Sequence, residues 1–174
     1  ESAGAEEALA LLGTEAPAGK RVHVGWGSFR NLDIAAARRS AAVVLLDINR
    51  HQFRVWEAVR AALLDEACTD PESFVEIVAP LLPHRPRLRQ FVPDTKAWLL
   101  GDLDRAGSWL NRHEVERFAW IRGLFRDDLV ATGCIDLRAA PDADLFAAMA
   151  RRSDRAAAEQ QVRFDTLYVS NLRW

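Results

Sequence analysis

The sequence predicts an α/β fold, a mostly parallel sheet between helical layers in a three-layer sandwich, and three observations carry that expectation. Short apolar runs of strand length recur, namely "RVHV", "AAVVLLDI", "LVATGCIDLR" and "FDTLYVSNL". Stretches of helical composition separate them in the order β-α-β-α-(helices)-β-α-β. Each run closes on a glycine, an acid or a small polar residue. Strands alternating with helices point to parallel neighbours joined by right-handed crossovers.

The elements follow in chain order. "SAGAEEALALLG" is rich in strong helix formers and predicts a short N-terminal helix ended by Gly13. "RVHV" reads as a strand stopped by Gly25, with a tight turn through Gly27 and Ser28 after it. "NLDIAAARR" has helical composition with Asn31 as its cap, and "AAVVLLDI" is an apolar run ending in Asp47, as expected of a strand buried on both faces. Asn49 is placed to cap the next helix, in which Phe53, Trp56, Val59 and Leu63 recur at helical spacing.

Asp70 before Pro71 reads as a cap and first-turn pair, opening a helix that Pro80 and Pro83 end. The basic, proline-punctuated "PHRPRLRQFVP" follows. "KAWLLGDLDRAGSWLNRHEVERFAWIRGLFRD" then predicts at least one long helix carrying Trp109, Phe118, Ile121 and Phe125. Residues 69–126 are too many for a simple crossover and read as a helical insertion between the second and third strands. The third strand has Asp136 near its end. An alanine-rich helix with Leu145, Phe146 and Met149 on one side precedes the last strand, which ends at Ser170 and Asn171.

Composition bounds the function. A chain of 174 residues, 49% of them apolar, can bury a core and suits a single domain over 1–174. A formal charge of −2 predicts no strong pull toward nucleic acid or an anionic membrane surface. No apolar run approaches the roughly 20 residues that span a bilayer, and no signal region precedes the first strand. The two cysteines, Cys68 and Cys134, match no metal or redox spacing and read as buried free thiols, so a reducing, cytoplasmic setting is the default expectation. Because Glu1 rather than Met opens the chain, we expect that its ends are not natural boundaries.

Ligands of open parallel sheets lie outside the carboxyl ends of the strands, where loops diverge and helix N-termini point at the ligand. The candidate residues fall at four such ends: Gly25 to Asn31, Asp47, Asp136, and Ser170 with Asn171. Gly25 and Gly27 would let backbone approach a ligand, and an acid about 20 residues on can accept ribose hydroxyls. Each residue also has a plain structural reading, as a turn glycine or a capping acid. A dinucleotide asks for a third small residue three positions after the second glycine, and Arg30 stands there. S-adenosylmethionine carries no phosphate and tolerates that bulk, although an arginine could also meet a phosphate. Trp26 within the glycine segment either covers a ligand or anchors the loop. His23, His51, His84 and His113 show no ligand spacing, "HRPRLR" (84–89) reads as a solvated basic loop, and Trp56, Trp109 and Trp120 read as core.

These motifs resemble the class I, Rossmann-like S-adenosylmethionine-dependent methyltransferases, over roughly Arg21 to Asn171 outside the insertion. "HVGWGS" looks like that family's first glycine-rich motif, "LLDIN" its second, "CID" its third, and "DTLYVSNL" its fourth strand. "WLNRHEVERFAWIRGLF", "LVATGCIDL" and "LYVSNL" are also similar to a group of poorly characterised bacterial methyltransferase-like proteins. The resemblance implies a cofactor site of Gly25, Trp26, Gly27, Ser28, Asp47, Ile48, Asp136, Ser170 and Asn171. Asp47 would hold the ribose and Asp136 would lie near the adenine.

Departures accompany it. His23 stands where the family commonly has an acid, and Phe29 replaces a third glycine. A neutral histidine does not offer an acid's charge to the donor's amino group. No Asn-Pro-Pro-aromatic run follows the fourth strand. The family's further strands are also missing from this chain, so a C-terminal segment or a second subunit would complete the sheet. Three expectations follow: a methyl-donor-binding methyltransferase with an unassigned acceptor, an inactive binding or interaction module of the same fold, and, less favoured, an NAD- or nucleotide-binding domain using Arg30.

Overall fold

A computed structural model describes residues 20–27, 29–47, 50–82, 95–134 and 162–169. Four strands, β1 (Lys20–Trp26), β2 (Ala42–Asp47), β3 (Val130–Cys134) and β4 (Val162–Val169), pair in parallel in the order β3-β2-β1-β4. The register sets His23 beside Val43, Gly25 beside Leu45 and Trp26 beside Leu46. Asp47 pairs with Cys134, and the pairing of β1 with β4 shifts by one residue between Val22 and His23.

Five described helices accompany the sheet: α1 (Arg30–Ala37), α2 (Arg50–Leu64), α3 (Pro71–Val78), α4 (Thr95–Leu103) and α5 (Val115–Arg126). Successive strand residues point to opposite faces, and the two faces bury different sets. Val43 and Leu45 join Leu32 and Ala35 of α1, Trp56, Val59 and Leu63 of α2 and Ile121 of α5 in the main core. Val24, Trp26 and Leu46 form a second cluster, with Val22 and Val44 against it. Since α1, α2 and α5 all pack on the first face, β1 and β2 each send their crossover to the same side.

Local chemistry explains the helix ends. Asp70 accepts from the Ser73 N–H at 2.8 Å while the Ser73 hydroxyl accepts from the Asp70 N–H at 3.0 Å, a reciprocal cap with Pro71 behind it. This matches the start expected for α3. At the end of α1, the Ser40 N–H donates to the Ala35 carbonyl at 2.9 Å and that of Arg39 to Ala36 at 3.1 Å, with Arg39 at φ 51°. The end of α5 repeats the pattern: Leu129 donates to Leu124 at 2.8 Å and Asp128 to Phe125 at 3.3 Å, with Asp128 at φ 54°. Both are left-handed terminations without glycine, each turning a crossover helix into the following strand.

Several expectations need correction. β1 does not stop at Gly25 but runs through it to Trp26, because Leu45 and Tyr168 pair with Gly25 on either side. Asn31 does not cap α1. Phe29 occupies that position without a side-chain bond, and Asn31 lies in the first turn with its amide directed back to β1. The stretch from Lys96 onward, expected to hold at least one long helix carrying Trp109, holds two helices separated by residues 104–114, and Trp109 falls between them. There Gly107 takes φ 74°, the Asn111 amide donates to the Arg105 carbonyl at 3.0 Å, and the Arg112 N–H donates to that of Leu103 at 2.9 Å. Trp109 is therefore a loop residue, although fully buried. Its ring stacks on Phe118 at 5.9 Å and meets Phe74 edge-on at 5.1 Å, which locks the loop into the core.

Trp56 is core as expected and Trp120 is half-buried, its indole N–H donating to the Ser40 carbonyl at 3.1 Å. Cys68 is fully buried and free, and burial pushes its thiol pKa up. No described helix is long and apolar enough to cross a membrane. The N-terminal helix, the Asn49 cap, the basic 84–89 segment and the alanine-rich helix before β4 lie outside the described residues.

Candidate functional site

The carboxyl ends of β1 and β2 meet at Gly27 and Asp47. The Gly27 N–H donates to the Leu46 carbonyl at 3.0 Å, carrying the ladder one residue past β1, and the chain then turns away at φ 74°. That left-handed conformation suits glycine because it has no Cβ. A Cβ at Gly27 would stand 3.1 Å from Asp47 Oδ2, so the carboxylate rests against the glycine turn. Asp47 is half-buried. Two residues 20 apart in sequence thus form one edge, with α1 beginning three residues after the glycine.

Behind that turn, Asn31 joins α1 to β1. Its Nδ2 donates to the Trp26 carbonyl at 3.0 Å, which turns Oδ1 toward His23 Nε2, also at 3.0 Å. An oxygen there needs a donor, so His23 carries hydrogen on Nε2. Both side chains are fully buried. Gly25 makes room for this arrangement: a Cβ on it would fall 1.7 Å from Asn31 Oδ1. The bare side of Gly25 therefore faces Asn31. Trp26, read above as covering a ligand or anchoring the loop, belongs to the strand, and its indole packs with Val24 and Leu46 on the other sheet face.

A buried charge cluster sits on the same helix start. Asp33, only 1% exposed, accepts from the Trp109 N–H at 2.8 Å through Oδ1. Its Oδ2 accepts from Arg105 Nη2 at 2.9 Å and Arg30 Nη1 at 3.4 Å. Arg105 Nε also donates to Asp102 Oδ1 at 2.6 Å, so one guanidinium bridges two buried carboxylates. Burial pushes the Asp33 pKa up to about 7, against the pull of the Trp109 amide and with repulsion from Asp102 adding to it. Burial likewise raises Asp102 to about 6, with Arg30 opposing. Arg30, considered above as a phosphate ligand, is paired inward to Asp33. Phe29 beside it packs edge-on against Trp56 at 5.2 Å and tilted against Trp98 at 5.3 Å.

Of the expected site residues, the structure brings Gly27 and Asp47 together, turns Gly25 toward Asn31 and sends the Trp26 indole elsewhere. Ser28, Ile48, Asp136, Ser170 and Asn171 lie outside the described residues. Among the described residues no group of three or more His, Cys, Asp and Glu side chains could hold a metal ion. Sequence reading missed the His23–Asn31 pair and the Asp33, Asp102 and Arg105 cluster. The only local signs were an acid between Leu32 and Ile34 and the three-residue spacings of Arg30 with Asp33 and of Asp102 with Arg105.

No curated protein and no solved structure matches the chain. Over residues 5–81, which take in Gly25, Gly27, Asn31, Asp33 and Asp47, the chain is similar to a family described as a domain of unknown function (DUF7790).

Proposed function

We propose that the chain binds S-adenosylmethionine on a Rossmann-like sheet and is a methyltransferase or a methyltransferase-like protein. The observation that carries the reading is the edge at β1 and β2, with a left-handed Gly27 turn against the Asp47 carboxylate, at the carboxyl ends of adjacent parallel strands. The β3-β2-β1-β4 order supports it, because the winding order of the parallel strands reverses between β1 and β4, so the end of β1 that carries Gly27 borders the switch point at which ligands of such sheets gather. In this reading Gly27 lets the donor approach, Asp47 accepts the ribose hydroxyls, and Ser28, Ile48, Asp136, Ser170 and Asn171 complete the lining. Methyl transfer depends chiefly on aligning donor and acceptor, so the reading does not require that a general base be assigned at this edge.

A specific observation favours a second reading, an inactive binding module. His23, where an acid would meet the donor's amino group, is fully buried and engaged with Asn31. The NAD or nucleotide reading loses support because Arg30 pairs with Asp33. β4 is an outer strand of the described sheet, and the methyltransferase reading implies further strands beside it, from a C-terminal segment or a second copy.

Thermal-shift and calorimetric titrations with S-adenosylmethionine, S-adenosylhomocysteine, NAD and ATP test the class. A ligand at about 100 times its Kd stabilises by about 2.7 kcal/mol. Stabilisation by the two methionine compounds, lost in Asp47→Ala, supports the proposal. Stabilisation by NAD or ATP instead replaces it with the nucleotide reading, and silence from all four ligands sinks it.

A further inference from the structure

We infer that Asn31 is the positioning residue of the ligand turn, holding Gly27 in place through the Trp26 carbonyl, with His23 holding Asn31 in turn. The inference rests on the reading of the Gly27–Asp47 edge as a donor site and names the residue that shapes it.

The peptide unit joining Trp26 to Gly27 is gripped at both ends. Its carbonyl accepts from Asn31 Nδ2 at 3.0 Å, and its N–H, that of Gly27, donates to the Leu46 carbonyl at 3.0 Å. A peptide held at carbonyl and amide cannot rotate about its flanking bonds, so the direction in which Gly27 leaves the sheet is set before any ligand arrives. That preorganisation is what a close backbone approach to a ligand requires. Asn31 is rigid for the same purpose. It is fully buried on the first turn of α1, and its Oδ1 is held by His23 Nε2 at 3.0 Å. Flipping the amide would set Oδ1 against the Trp26 carbonyl, two acceptors facing each other without a hydrogen. Gly25 belongs to the device, since any larger residue would occupy the space of the Asn31 amide. The histidine that departs from the methyltransferase pattern thereby gains a role: it supports the turn from behind instead of meeting the donor's charge.

Amide hydrogen exchange at Gly27, together with calorimetric titration of S-adenosylmethionine, tests the assignment in Asn31→Ala and Asn31→Asp. The aspartate keeps the shape and the acceptor toward His23 but removes the donor to Trp26, and it carries the test alone if the alanine variant fails to fold. Gly27 exchange is expected to rise about tenfold in each variant while the Leu45 amide exchanges as in the wild type, and donor Kd is expected to rise about tenfold. Unchanged Gly27 exchange in Asn31→Asp overturns the positioning role. Equal acceleration at Leu45 and Gly27 also overturns it, because Asn31 would then support the whole sheet and not the turn. A wild-type protein that does not bind the donor overturns the ligand reading alone, and Gly27 exchange still decides the hold on the turn.

Discussion

Asn31 occupies the space that a side chain on Gly25 would need, its Oδ1 lying 1.7 Å from where a Cβ would stand. Both residues are buried, so neither can move aside cheaply. Gly25→Ala is therefore expected to cost about 1–3 kcal/mol of stability, the usual range for overfilling a packed interior. In an Asn31→Ala background the same change should cost much less, because the clashing amide is gone. Urea denaturation of the four proteins in this double-mutant cycle measures the coupling, and additive costs would refute the steric account.

Gly27→Ala probes the turn itself. A side chain at φ 74° costs about 1–2 kcal/mol, and the added carbon would also press on Asp47 at 3.1 Å. The urea midpoint should fall accordingly. Combining Gly27→Ala with Asp47→Ala should recover only the contact part of the loss, since the backbone strain persists.

Asp33 predicts a pH dependence of definite sign. Its pKa is raised to about 7 in the folded chain, from an ordinary 3.8. At about pH 5 the folded state holds a proton that the unfolded chain has lost, so stability from this group is full below pH 3.8 and is lost as pH rises through about 7. Asp102 acts in the same direction through about 6. Asp33→Asn removes the Asp33 titration while keeping an acceptor for the Trp109 N–H. Relative to the wild type, the variant should therefore compare better at about pH 8, above that window, than at about pH 5, within it. A difference independent of pH, by urea denaturation at both values, would contradict the raised pKa.

Asp70 has the opposite sign. The hydrogen bond from the Ser73 N–H to its carboxylate holds its pKa below the usual carboxylate range. Its contribution is present above the ordinary pKa and is lost as pH falls through the lowered one. Asp70→Ala is expected to cost about 1 kcal/mol near neutral pH, the typical worth of a helix cap. Thermal melts compared near neutral pH and in acid should show the gap closing in acid.

What sequence alone determined was local or periodic. The Asp70–Pro71 helix start needed only neighbouring residues, and β2 declared itself as an unbroken apolar run ending in Asp47. The pairing of Gly27 with Asp47 was also legible, because parallel strands joined by a short helix return their carboxyl ends to the same edge. The end of β1 depends on tertiary packing that local sequence does not carry. Gly25 reads locally as a strand stop, whereas in the sheet it is a gap that Asn31 fills.

Only tertiary structure decided the rest, because the energies involved belong to groups far apart in sequence. Asp33 meets Arg105 across 72 residues and the Trp109 amide across 76, and burial by that distant loop is what raises its pKa. Trp109 could be recognised as apolar, but its place in a loop depended on Gly107, Asn111 and Leu103 closing the turns around it. His23 was visible as a departure from an acidic position. Its bond to Asn31 arises because α1 lies back across β1 and puts an amide where Gly25 leaves space.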